Sequence, residues 1–179
     1  MFTPEQCAVL RRAAEQHSAT AERFVLLTRY TGHRSSAIRP LRWSDIDLVG
    51  GTIGWRAEID KIGYEHRNPL HPELVVFSQR EQSRMGAIGD AWVFPKEADP
   101  NQPMSRDQAV HGLWQALRVG ACIPAHERYG WQSFRRAFCK CATGRTVARV
   151  KGPGRLEKSE YRRGRVSAAR RKRPPLGLA

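Results

Sequence analysis

Apolar positions recur at helical spacing near the start of the chain. Thr3-Pro4-Glu5-Gln6 reads as a helix start, with Thr3 as cap, Pro4 in the first helical position and Gln6 closing a capping box. Cys7, Leu10 and Ala14 follow on one face. A second helix is expected from about Ala21 to Tyr30, with Phe24 and Leu27 inward and Gly32 ending it. A short third helix starts at Ser35 or Ser36 and is limited by Pro40. The pattern then shortens. Ser44-Asp45-Ile46-Asp47 is turn-like, and Thr52 to Glu58 reads as a strand after Gly50-Gly51. Ile62-Gly63-Tyr64 marks a hairpin tip, with a return strand over His66-Arg67-Asn68 ending at Pro69-Leu70. Pro72 opens a helix to about Gln82, and Trp92-Val93-Phe94-Pro95 is a short apolar strand or turn. Ser105 and Gln108 form a second capping box ahead of Val110, Leu113, Trp114 and Leu117. A last helix near Ser133 carries Phe134, Ala137 and Phe138, while Trp43 and Trp131 read as packing residues. The expected fold class is mainly α with a small antiparallel β-sheet, α+β.

Charge divides the chain unevenly. The formal net charge is +14, from 31 Lys+Arg against 17 Asp+Glu. Residues 140–179 hold 13 of the basic and 2 of the acidic residues, leaving 18 against 15 before them. We therefore expect a folded domain over residues 1–139 and a basic Gly/Pro/Arg-rich tail over 140–179. The tail is too poor in apolar residues to offset its ordering entropy, apart from a short helix around Val166–Arg171. Such a balance points to a polyanionic partner, duplex DNA first, and against a cationic substrate. No apolar stretch is long enough to span a bilayer, and MFTPEQ lacks the features of a secretory signal. Four scattered cysteines do not form a disulfide framework, which suggests a reducing, cytoplasmic setting. Cys139-x-Cys141 lacks the further ligands a zinc site needs, so no metal is expected.

Three motifs carry a resemblance. Residues 31–47 read TGHRSSAIRPLRWSDID, residues 61–70 read KIGYEHRNPL, and residues 132–136 read QSFRR. This sequence resembles the tyrosine recombinase (phage integrase) family. The family pattern is T-G-x-R-x-x-E-I-x-x-L-x-W-x-D-I-D, then K-T-G-x-x-R-x-V-P-L, then H-x-L-R-H. Ala37 stands where the family usually has Glu, and Gln132 where it has His. The resemblance covers about residues 1–140 and implies a catalytic-domain fold without metal or organic cofactor.

It also implies roles. Arg34 and Arg135 would clamp the non-bridging oxygens of a scissile phosphate, where negative charge grows during transesterification. Lys61 would donate a proton to the leaving 5′ oxygen. With Arg136, these residues would make the DNA contacts. Gln132 can hydrogen-bond but is no base at neutral pH. The family's Gly-His pair and helical nucleophilic Tyr find no match after Arg135. Tyr161 is the only tyrosine there, closer to Arg135 than the family spacing would put it. The expectation is DNA binding with recombinase-type chemistry that is impaired or lost. One alternative is a non-enzymatic protein that binds DNA through its tail. Another is an integrase remnant whose tail, after about Phe138, is an out-of-frame product of a GC-rich gene. The family works in assemblies of protomers, which this C-terminus does not favour.

Overall fold

A computed structural model describes residues 1–144 other than 62, 87 and 88, and only the backbone of 141–144. Tyr161, Cys141 as a ligand and the helix expected near 166–171 lie outside the described residues. Helices α1 (Pro4–His17) and α2 (Ala19–Thr31) pack against each other. Both halves of the expected capping box form at Thr3, with its hydroxyl accepting from the Gln6 amide and its amide donating to the Gln6 side chain. Ser18 ends α1 and caps α2, accepting from the Ala21 amide at 3.1 Å. Helix α2 is buried from Ala21 to Thr28, so it is the central helix rather than a surface one. Gly32 ends it at φ +65°, a left-handed conformation that disfavours any residue with a Cβ.

After the short α3 (Ser35–Ile38) and a 3₁₀ turn over Trp43–Asp45, three antiparallel strands follow in the order β1 (Ile46–Asp47), β2 (Thr52–Trp55) and β3 (His66–Pro69). Thr52 pairs with Pro69 and Trp55 with His66. Ile53 and Trp55 face the core and are fully buried, as alternation predicts. The strand was expected to reach Glu58 but stops at Trp55. Arg56 leaves the ladder because its guanidinium turns back to the Asp45 carboxylate at 3.0 Å and to the Pro40 carbonyl at 2.6 Å.

Helix α4 (Pro72–Met85) starts at Pro72 as expected and runs one turn further. The Trp92–Pro95 segment resolves into a bridge between Trp92 and Arg42 and the start of a two-stranded ladder, β4 (Pro95–Lys96) with β5 (Asp99–Pro103). Strand β5, DPNQP, carries no period-two apolar signal and was not foreseen. Ser105 and Gln108 do close the second capping box. The helix behind it is π-helical over Gln108–Leu113 before continuing as α5 (Trp114–Gly120). The last helix, α6 (Trp131–Gly144), begins two residues before Ser133 and packs on α2. Trp131 is buried against Phe24 and Trp114, and its indole N–H donates to the Ala109 carbonyl at 2.8 Å.

One ion pair lies inside this core. Arg23 on α2 donates to Glu81 on α4 at 2.8 Å and to the Val93 carbonyl at 2.8 Å, with side chains 2% and 3% exposed. Its guanidinium lies over the rings of Trp43 and Phe94. Burial weakens the hold of Arg23 on its proton, and Glu81 counters this. Burial also works against the Glu81 charge, but Arg23 and Arg84 outweigh it and hold the carboxyl below its usual range.

Candidate DNA-contacting corner

The turn after α2 brings together residues far apart in the chain. Arg34 is the residue before α3, half-buried and extended. Arg135 on α6 donates through Nη1 to the carbonyl of Gly32 at 2.7 Å, across 103 positions of sequence. One glycine therefore joins the two arginines. Its carbonyl holds Arg135, and Arg34 follows two residues later. The ring of Phe138, one turn beyond Arg135, covers the Gly32 Cα so closely that any side chain there would collide with it.

Lys61 is exposed on the loop between β2 and β3. The base of that loop meets the same turn. His33, between Gly32 and Arg34, stacks on Trp55 with centroids 3.6 Å apart and planes 7° apart. His33 Nε2 lies 3.2 Å from His66 Nε2. Burial is the main cause that pushes the His33 pKa down to about 4. Nearby His66 and Arg135 add to it, while the Thr31 carbonyl and Asp60 oppose it. Gln132 and Arg136 are both exposed on α6, four residues apart and hence neighbours on the helix surface.

Among the described residues, no carboxylate forms an ion pair with Arg34, Lys61, Arg135 or Arg136. Cations that lack counterions among the described residues suit an anion that arrives from solvent. Among the described residues, no group of three or more His, Cys, Asp or Glu is placed to hold a metal. A cleft of about 270 Å³ lies elsewhere, between α1 and the loop at Cys122–Pro124, and includes none of these cations.

The structure thus brings Arg34 and Arg135 to one turn and the Lys61 loop to its edge. Sequence reasoning missed His33, His66 and Trp55 as a stacked unit. The two histidines stood inside motifs already quoted, but nothing local signals a contact across 33 residues. Phe138 lies on the last helix, as the sequence predicts. It is 37% exposed and covers the Gly32 turn.

A mainly helical domain with a short hairpin beside paired arginines is the architecture that the motifs implied. The profile of the Phage integrase family matches residues 1–140, and the chain belongs to that family. Among solved structures, one titled "Crystal structure of XerA recombinase" is similar, with a TM-score of 0.65 and 15% identity. The match covers 79% of this chain and 48% of that one, so the chain spans about half the length of the recombinase it resembles. A comparison with curated proteins found no match. Among the described residues, no helix is long and apolar enough to cross a membrane.

Proposed function

We propose that this domain binds duplex DNA around a phosphodiester and belongs to the machinery of site-specific recombination or integration. Arg34 and Arg135 hold the non-bridging oxygens, and Lys61 approaches the leaving 5′ oxygen. The observation that carries this reading is the hydrogen bond from Arg135 to Gly32, which brings a guanidinium with no carboxylate partner among the described residues to the turn that presents Arg34. Two guanidiniums brought to one turn suit a trigonal-bipyramidal phosphorane, whose equatorial oxygens gain charge. Gln132 can donate to the same phosphate but cannot take a proton from an attacking hydroxyl. The reading therefore includes strand transfer that is slow or absent, with Tyr161 as the candidate nucleophile. It needs no metal or organic cofactor, and assembly with further recombinase protomers is not part of it.

The test is a duplex-DNA titration by fluorescence anisotropy at several salt concentrations. Arg34→Ala and Arg135→Ala should each weaken binding by about tenfold or more, as lost charge-assisted hydrogen bonds imply. A nicked recombination substrate would trap any phosphotyrosyl adduct, and an adduct lost on Tyr161→Phe would overturn the impairment. The net +11 of residues 140–179 favours a second reading, in which the tail supplies the affinity without sequence preference. Truncation after Gly144 should then abolish binding, while Arg34→Ala leaves it unchanged.

A further inference from the structure

The contacts of His33 and His66 demand more protons than two neutral rings possess. His33 Nδ1 lies 3.1 Å from the Thr31 carbonyl, and His66 Nδ1 lies 3.1 Å from the Tyr64 carbonyl. A carbonyl only accepts, so both Nδ1 atoms carry hydrogen. Both Nε2 atoms then present lone pairs, and they face each other at 3.2 Å. Three contacts need three N–H hydrogens, whereas two neutral imidazoles supply two. The third sits between the Nε2 atoms, and the pair carries one positive charge.

The alignment supports a proton there rather than a metal. The ring centroids are 5.4 Å apart, nearly as far as two imidazoles in contact at 3.2 Å can be, so the nitrogens meet head-on. That is the geometry of N–H···N. Zinc would need about 2.0 Å to each nitrogen, which a head-on gap of 3.2 Å does not hold.

We propose that His33 and His66 share one proton and, through it, fasten the loop bearing Lys61 to the turn bearing Arg34, acting as positioning residues for the cationic corner. The DNA role of the corner rests on the proposed function, whereas the shared proton does not. His33 is one residue from Arg34, and His66 opens β3 just after the Lys61 loop. The groups that face the pair are Arg135 from α6, and Asp60 and Tyr64 from the hairpin. Trp55 supports His33 from the other side. Arg135 opposes a second positive charge and Asp60 favours one. Burial dominates, and it holds His33 unprotonated down to about pH 4. The N–H···N bond therefore persists as pH falls to about 4, where a second proton makes two like charges. It is lost again on the alkaline side, when the shared proton leaves. His33 falls at an open position of the first motif, and His66 stands where the second motif has Arg.

The experiment uses the full chain labelled with ¹⁵N at histidine. Two-bond ¹H–¹⁵N spectra should show N–H at Nδ1 of both rings and one strongly downfield N–H···N proton. The pair should lose that proton in a single step. Hydrogen exchange at hairpin amides near residues 63–67, corrected for intrinsic base catalysis, should rise about tenfold across the same step. His66→Phe keeps a ring for stacking and removes the nitrogen, so it should exchange fast at every pH without a step. Two independent histidine titrations, an Nε2–H tautomer on either ring, or hairpin exchange indifferent to the step would overturn the proposal. If His66→Phe fails to fold, the wild-type titration and exchange profile decide alone. Duplex-DNA titration separates the two ideas. The spectroscopic pair without DNA binding leaves this inference standing and removes the DNA reading, and DNA binding without the pair does the reverse.

Discussion

Arginine is held in two opposite ways in this molecule. Arg23 is sealed in the core with Glu81, the Val93 carbonyl and two aromatic faces around it. Arg135 is held by a single backbone carbonyl and pairs with no carboxylate among the described residues. The first arrangement neutralises the charge inside the protein. The second fixes the position of the guanidinium and leaves its charge for something outside. Burial without a partner is costly, so an arginine in the core must bring its carboxylate with it. At the surface, water solvates the charge, and its availability to a polyanion is worth more than a local ion pair.

The strongest way to break the contrast is to remove one half of the sealed pair. Glu81→Ala should destabilise the domain by about 3–5 kcal/mol, because it strands a buried guanidinium. Chemical denaturation would measure this, and replacing both partners at once (Arg23→Met with Glu81→Leu) should recover most of the loss. Arg135→Ala should do the converse. It should cost about 1 kcal/mol or less of stability, the net worth of one exposed-side hydrogen bond, yet weaken duplex binding by tenfold or more. Equal losses in both assays would erase the distinction.

A pH titration of stability sharpens the comparison. His33 is held at about 4 in the folded chain, against 6.5 when unfolded. The unfolded state takes up its proton first, so the part of stability that depends on a neutral His33 is complete above pH 6.5 and declines as pH falls towards 4. The full shift corresponds to at most ~3 kcal/mol, and partial exposure reduces this to roughly half. His33→Gln should flatten that slope. The smallest effect is expected at Arg136. Arg136→Ala should leave the melting temperature unchanged and lower the salt slope of DNA binding by about 1.

Local chemistry made much of the fold legible. Thr3-Pro4 and Ser105 announced their helices because a cap acts within four residues. Gly32 announced the end of α2, and Trp43 and Trp131 are packing residues, at 2% and 5% exposure. The strand at β2 read too long, because the pull of Asp45 and Pro40 on Arg56 is tertiary. Strand β5 was invisible because nothing in DPNQP favours a strand before Pro95 and Lys96 pair with it. In the candidate site, Arg34, Lys61 and Arg135 were visible as motif positions. Their joint in space was not, because the His33–His66 contact and the Arg135–Gly32 bond exist only after the chain has closed on itself.

That closure sets an order of events during synthesis. Gly32 leaves the ribosome 103 residues before Arg135 does. Until α6 follows, the nascent chain presents its Arg34 turn without Arg135, and the face of α2 that Trp131 will cover is still bare. The joining of the two arginines at Gly32 and the completion of the interior thus arrive in one late step, through one helix. A polypeptide stalled earlier would meet a chaperone with its apolar side still uncovered.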